Sequence, residues 1–127
     1  MKRIIIISIL FSVLSSQLSG WTSEEVDLSK KGCNANDSAA CYMLGLVYSK
    51  GYGVQKDKAK SEEFFKKHVK LEADGCEGGN SYSCTQVAFA YSNGTGVQKD
   101  EGKAKKFYKM ACDMGDQNGC ENYAQYK

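Results

Sequence analysis

The sequence predicts an all-α fold, a short α/α solenoid of helical hairpins stapled by disulfides. Residues 48–57 (YSKGYGVQKD) and 91–100 (YSNGTGVQKD) are identical at eight of ten positions and lie 43 residues apart. The six cysteines form three pairs, and seven residues separate the members of each pair. The chain contains no proline, and no alternating apolar pattern indicates strands. An internal repeat of this length is typical of helical solenoids.

Each copy of the repeated segment joins two amphipathic helical patterns. The first helix begins near Asn36 or Asp37, either of which is a suitable N-cap. Gly51 suits the left-handed conformation that ends a helix. Asp57 then caps a second helix, which has an apolar stripe that includes Phe65. The second copy repeats this arrangement, so the pattern predicts two helical hairpins.

The first hairpin is longer than the second. The second cysteines of successive pairs are 43 residues apart in the first unit and 36 in the second, so seven extra residues lie between Phe65 and Cys76. Seven residues are close to two turns of an α-helix, so a helix extended through residues 66–75 would return Cys76 to nearly the same face. The alternative is a loop that begins near Asp74. We favour the extended helix.

These patterns divide the chain into a signal peptide and one helical-repeat domain. Thr22 and Glu25 form a possible capping box for the first cap helix. The predicted segments are a signal peptide (1–20) and a domain (21–127) made of an N-terminal cap helix (21–35), repeat 1 (36–76), repeat 2 (77–112) and a C-terminal cap helix (113–127).

The N-terminal segment has the three regions of a signal peptide. Lys2 and Arg3 precede an apolar run over residues 4–14, and a small, polar stretch leads to Gly20. The run is shorter than the roughly 20 residues of a membrane-spanning helix. We therefore expect cleavage after Gly20, no stable membrane anchor after cleavage, and a secreted or periplasmic bacterial protein. Six cysteines in a short exported chain also indicate an oxidising compartment.

The charge of the mature chain argues against a nucleic-acid partner. Removal of Lys2 and Arg3 leaves equal numbers of basic and acidic residues, and Arg3 is the only arginine. Nucleic-acid binding usually requires a basic patch in which arginines contact bases and phosphates. We therefore expect no nucleic acid among the ligands.

The cysteine spacing favours one disulfide pattern among the 15 that six cysteines allow. Bridges within the hairpins would leave Cys33 and Cys120 to meet across the domain, although a solenoid keeps its ends apart. The recurrence of one spacing instead favours local closure. The predicted disulfides are Cys33–Cys41, Cys76–Cys84 and Cys112–Cys120.

Neither a metal nor another cofactor is expected. Zinc sites favour closely spaced cysteines or histidine partners, and His68 is the only histidine. His68 falls on the apolar stripe of its helix, where a packed role is more common than a catalytic one. No serine has a lysine three positions later, so the serine β-lactamase nucleophile motif is absent.

The repeated motif resembles the Sel-one-like repeat, a relative of the tetratricopeptide repeat. With cysteines seven residues apart at each boundary, the chain from about residue 32 to 126 is similar to the Helicobacter cysteine-rich protein family. The second repeat departs from the motif with Val87 and Ala88 in place of Leu-Gly. The matching residues are Leu44, Gly45, Tyr48, Gly51, Gly53, Val54, Lys56 and Asp57 in the first repeat, and Tyr91, Gly94, Gly96, Val97, Lys99, Asp100, Lys103 and Ala104 in the second.

The resemblance implies slow β-lactamase activity, penicillin binding, or a role in cell-wall peptide binding or host interaction. In stacked hairpins the first helix of each unit usually lines the concave, ligand-binding surface. Leu46 and Phe89 have an alternative role in packing between helices. The predicted groove residues, one and five positions after each second cysteine, are Tyr42, Leu46, Thr85, Phe89, Glu121 and Gln125.

We therefore expect a secreted or periplasmic binding protein with a concave groove. Its expected ligand is a cell-wall peptide, a β-lactam or β-lactam-like molecule, or a peptide segment of another protein. The alternative is a slow β-lactamase, which rests on the family resemblance alone.

Overall fold

The computed structural model describes residues 20–126, which form six α-helices and no strand. The predicted signal peptide, residues 1–20, lies outside the described residues except for Gly20. The helices are α1 (Ser23–Asn34), α2 (Ser38–Lys50), α3 (Lys58–Glu77), α4 (Ser81–Asn93), α5 (Glu101–Asp113) and α6 (Gln117–Ala124).

The helices begin where the sequence supplies polar caps. The Thr22 hydroxyl accepts a hydrogen bond from the Glu25 amide, and the Glu25 carboxylate accepts one from the Thr22 amide, so the predicted capping box is present. Asp37 caps α2 by accepting from two backbone amides. Such caps satisfy amides that have no partner within the helix. The first helix continues to Asn34.

Helix α3 confirms the extension that the cysteine spacing favoured. It runs without a break through residues 66–75 and has 20 residues, against 13 in α5. Cys76 is buried near its end, on the side that faces the next helix. The seven additional residues therefore preserve the orientation of the cysteine.

The two G-x-G turns reverse the chain within each hairpin, and each glycine has a different task. Gly51 and Gly94 end α2 and α4 in the left-handed conformation, with φ of 74° and 70°. The second glycine also has positive φ and packs against the preceding unit. A Cβ on Gly96 would lie 2.5 Å from the backbone carbon of Phe65. Only glycine permits this close approach.

Aromatic stacking joins the two helices of each hairpin. The rings of Tyr48 and Phe64 stack at 5.7 Å between centroids, and the Lys60 ammonium lies 5.3 Å from the Tyr48 centroid. Tyr91 and Phe107 repeat the stack at 5.9 Å, again with a lysine over the tyrosine. Stacked pairs of this kind add to the energy of burial alone. The two tyrosines therefore pack within the fold.

Three disulfides join the end of one hairpin to the start of the next unit. Each links the last turn of α1, α3 or α5 to the first turn of the following helix, with Cα atoms 4.4 to 4.7 Å apart. The described residues contain no free cysteine. The bridges are Cys33–Cys41, Cys76–Cys84 and Cys112–Cys120.

At every disulfide corner, the residues that precede the two cysteines also touch. One member of each pair is glycine. A Cβ added to that glycine would lie 2.9, 2.6 and 2.6 Å from the opposite side chain at the three corners in chain order. The helices therefore cross too closely for two side chains. The pairs are Gly32 with Ala40, Gly75 with Ser83, and Ala111 with Gly119.

The helices form two rows. Each helix packs on its sequence neighbours, and α4 also contacts α6, whereas α1, α3 and α5 do not contact one another. At the C-terminal end of the solenoid the helices of the row α2, α4 and α6 therefore lie closer together, and we call this row the inner row. Helices α1, α3 and α5 form the outer row. No helix among the described residues is long and apolar enough to cross a membrane.

Two substitutions test the corner packing. Gly119→Ala should destabilise the protein by about 1 to 3 kcal/mol, because its Cβ would overlap Ala111. Ala111→Gly should cost about 1 kcal/mol in helix propensity. The double variant restores a glycine opposite an alanine, as at the first corner, and should be more stable than Gly119→Ala alone. Denaturant unfolding measures the free energy of unfolding of the three variants. If the effects of the two single substitutions simply add in the double variant, positions 111 and 119 are not in the proposed contact.

Reduction tests the disulfides. Each closes a nine-residue loop and should contribute about 2.5 kcal/mol by the chain-entropy model, which is large for a small domain. The melting temperature of the mature protein should therefore fall sharply in reductant. Alkylated, reduced protein is the control for re-oxidation. An unchanged melting temperature would show that the helices are stable without the bridges.

Candidate functional site

Three positions of each inner-row helix lie on one side of that helix, where they are exposed or half-buried. They lie two residues before, two after and five after the second cysteine of each pair. Residues four and three apart share one side of an α-helix, so the positions face the same direction. We call this surface the open face. Its residues are Ala39, Met43 and Leu46 on α2, Tyr82, Gln86 and Phe89 on α4, Asn118 and Asn122 on α6, and Gln125, the C-cap of α6.

Three of the six exposed large apolar side chains of residues 20–126 lie on the open face. Tyr82 is 58% exposed, Phe89 50% and Met43 37%, whereas Leu46 is half-buried. Tyr82 and Phe89 are seven residues apart on α4, about 10 Å along the helix axis. Single exposed apolar residues are common, but a group on one face is typical of a binding surface.

Three of the six predicted groove residues lie on the open face: Leu46, Phe89 and Gln125. Tyr42 lies beside it and is half-buried, with its ring centroid 5.5 Å from that of Phe65 and 5.1 Å from that of His68.

The remaining two predicted groove residues are Thr85, which is buried, and Glu121, which is exposed. Thr85 is only 8% exposed, and its hydroxyl donates to the Ser81 carbonyl at 3.4 Å. Glu121 is exposed and accepts a hydrogen bond from Gln117. The position after the second cysteine is rotated by about 100° from the next one, which turns Thr85 towards the interior. We therefore leave Thr85 out of the proposed surface.

Sequence reasoning missed the most exposed aromatic residue of this surface. Tyr82 lies two residues before Cys84, whereas the predicted groove positions follow the second cysteine of each pair. The helical period carries the signal, since Tyr82, Gln86 and Phe89 have the spacing of one helix face. Met43 likewise lies three residues before Leu46, as Gln86 lies before Phe89.

The helices that carry the open face are farther apart at its N-terminal end, between α2 and α4. No Cα atom of α2 comes within 8 Å of one in α4, whereas α4 and α6 approach that closely. The longer α3 lies between α2 and α4 in the chain. The aliphatic part of the open face, on α2, is therefore separated from the aromatic part on α4.

The nine positions of the open face carry no charged side chain, and the exposed Glu121 lies beside them on α6. The ion pairs among residues 20–126 lie on α1, α3 and α5 or directly before α5. One of them, Lys109 with Asp113, raises the pKa of the lysine through a hydrogen bond of 2.7 Å. These groups are exposed, so the pairs contribute little to stability.

A buried polar cluster lies between α2 and α3, beside Tyr42. The Ser38 hydroxyl donates to the Glu72 carboxylate at 2.6 Å, and His68 Nδ1 lies 2.9 Å from the Ser38 carbonyl oxygen. Glu72 and His68 are both buried. The start of α2 provides a favourable potential for the carboxylate. His68 therefore has a packed position in the fold.

Within the described part of the chain, no group of three His, Cys, Asp or Glu side chains has the arrangement of a metal site. The cysteines are all in disulfides there. The chemistry on the open face is that of aromatic rings, the Tyr82 hydroxyl, aliphatic groups and side-chain amides.

Comparison with known proteins agrees with this architecture. Two solved structures share the fold. The Sel1 repeat protein from Oxalobacter formigenes is 20% identical with a TM-score of 0.52, over 80% of this chain and 39% of that protein. Helicobacter pylori cysteine-rich protein B is 27% identical with a TM-score of 0.50, over 76% of this chain and 67% of that protein. No curated protein sequence matches the chain.

The sequence model of the Sel1 repeat matches residues 38–67 and 81–116, which together are more than half of the 127 residues. The first range covers α2 and the first half of α3, and the second covers α4, α5 and the turn up to Asp116. The chain therefore belongs to the Sel1 repeat family.

Proposed function

We propose that the protein is a secreted or periplasmic binding protein that holds a peptide or peptide-like ligand on its open face. Sel1 repeats generally form scaffolds for protein–protein interaction. The disulfides fit an oxidising compartment outside the cytoplasm. The predicted signal peptide supports the same location.

The observation that carries the proposal is the exposure of Tyr82 and Phe89 on one face of α4. Neither ring is needed for the stacking that holds the hairpins together, which uses Tyr48, Tyr91 and their partners. Aromatic side chains give large contact area at a low entropic cost and dominate many binding surfaces. A ligand that covers them would remove both rings from water.

The ligands that we propose are a cell-wall peptide, a β-lactam-like molecule, or a segment of another protein. All three present amide groups. The side-chain amides of Gln86, Asn122 and Gln125 lie on the open face and are suited to pair with them. The near-neutral mature chain provides little long-range attraction, so affinity should come from close contact.

Truncation of Phe89 tests the site. Phe89→Ala should weaken binding of a muropeptide, a fluorescent penicillin or a blocked synthetic peptide by about 30-fold, since a hot-spot aromatic contributes about 2 kcal/mol. Lys105→Ala on α5 is the control, because Lys105 is exposed in the outer row. Fluorescence anisotropy measures binding, and circular dichroism checks the fold. Loss of binding in the lysine variant alone would place the site on the outer row.

A second candidate function is slow β-lactam hydrolysis. The specific observation in its favour is the Ser38–Glu72 hydrogen bond of 2.6 Å, which has the spacing of a nucleophile and its base. Glu72 would accept the Ser38 proton as the hydroxyl oxygen attacks the lactam carbonyl, and would return it to the departing nitrogen, which leaves an acyl-serine. A water molecule that gives a proton to Glu72 would then attack the acyl carbonyl, and Ser38 would leave with that proton. The same bond also has a structural role between α2 and α3.

For this second candidate we expect very slow or no hydrolysis of nitrocefin, with no effect of chelators. Any residual turnover should disappear in Ser38→Ala. Ser81→Ala is the matched control, because Ser81 occupies the corresponding position, three residues before the second cysteine of the next pair. Rapid hydrolysis by protein free of host β-lactamase would overturn the preference for a binding protein.

A further inference from the structure

Charge is segregated between the two helical rows. The inner-row helices α2, α4 and α6 contain only Lys50 and Glu121 as charged residues. All other charged residues of the six helices belong to α1, α3 and α5. Helix α4 has no charged residue at all.

Burial alone does not account for this segregation. The buried positions of the inner row must be apolar, but its exposed positions could carry charge at no cost. On α3 and α5 the exposed positions are rich in lysine, with examples at Lys66, Lys70 and Lys106. On the open face the corresponding exposed positions carry tyrosine, phenylalanine, methionine, asparagine and glutamine instead.

Besides the Tyr82 hydroxyl, the polar groups on the open face are side-chain amides with free hydrogen-bonding capacity. The side chains of Gln86, Asn118 and Gln125 make no hydrogen bond within residues 20–126. Asn122 donates to the Asn118 carbonyl at 2.8 Å, which leaves its own side-chain oxygen available. A carboxamide both donates and accepts, so it pairs with a peptide bond without any net charge.

We propose that the open face selects an uncharged, extended peptide segment. This inference rests on the proposed function and names its class of ligand. The apolar side chains of the segment contact Tyr82, Phe89 and the aliphatic residues of α2, and its backbone amides bind the carboxamides of α4 and α6. A charged side chain placed against α4 would lose hydration and find no counter-charge on that helix, which is costly.

The α2 part of the open face favours a peptide over a glycan. Ala39, Met43 and Leu46 have no side-chain nitrogen or oxygen, so sugar hydroxyls placed against them would lack strong hydrogen-bond partners. The side chains of an uncharged peptide include aliphatic groups that need none. The two parts of the open face, on α2 and α4, therefore fit a segment that combines apolar side chains with a polar backbone.

The experiment screens three libraries of decapeptides with blocked termini for binding to the oxidised mature protein. One library contains only uncharged residues, and the other two carry two lysines or two aspartates at varied positions. We expect enrichment from the uncharged library. For a selected peptide, one added lysine or aspartate in the bound segment, or N-methylation of a bound backbone amide, should each weaken binding by about 10-fold.

Variants separate this inference from the proposed function. Phe89→Ala should abolish enrichment and Gln86→Ala should reduce it, whereas Lys105→Ala should leave it unchanged. Charged peptides that bind as well and still require Phe89 would overturn the ligand class and retain the site. A chitin oligosaccharide that binds through Phe89 when no peptide does would also overturn the class. Peptide binding that is insensitive to both Phe89 and Tyr82 substitution would overturn the site itself.

Discussion

The close helix crossing at each disulfide corner is the constraint on which the rest of the structure depends. Cα atoms 4.4 to 4.7 Å apart bring the flanking residues together as well, so one of each flanking pair is glycine. At the third corner the glycine is Gly119, in the second helix, rather than the residue before the first cysteine. Each corner therefore has room for only one side chain at the flanking pair, and the glycine can lie in either helix.

The corners also fix the rotation of each inner-row helix. A disulfide at the first turn of α2, α4 and α6 orients the helix about its axis, so the same offsets from the cysteine face outward in each unit. The G-x-G turns set the other end, because Gly53 and Gly96 pack on the preceding unit. Covalent corners and tight turns thus alternate, and together they align the rows of the open face.

Because the disulfides stabilise the domain, its stability depends less on burying the side chains of the open face. Two repeats are fewer than the three or so that solenoids usually need to bury a continuous core, and the disulfides can supply the difference. Large side chains such as Tyr82 and Phe89 are then free to remain exposed. In a domain of this size without staples, burial of such residues would be the more common way to gain stability.

The sequence by itself determined the helices, their caps, the disulfide pairing and the extended α3, because each depends on local spacing or on a repeated period. Only the tertiary structure decided that Thr85 turns inward while Tyr82 faces outward, since this depends on the rotation that the corners impose on α4. The Ser38–Glu72 contact joins residues 34 apart in the chain. The Gly119 contact with Ala111 likewise exists only where two helices cross. No periodic pattern records such contacts, because they arise from how closely the helices approach.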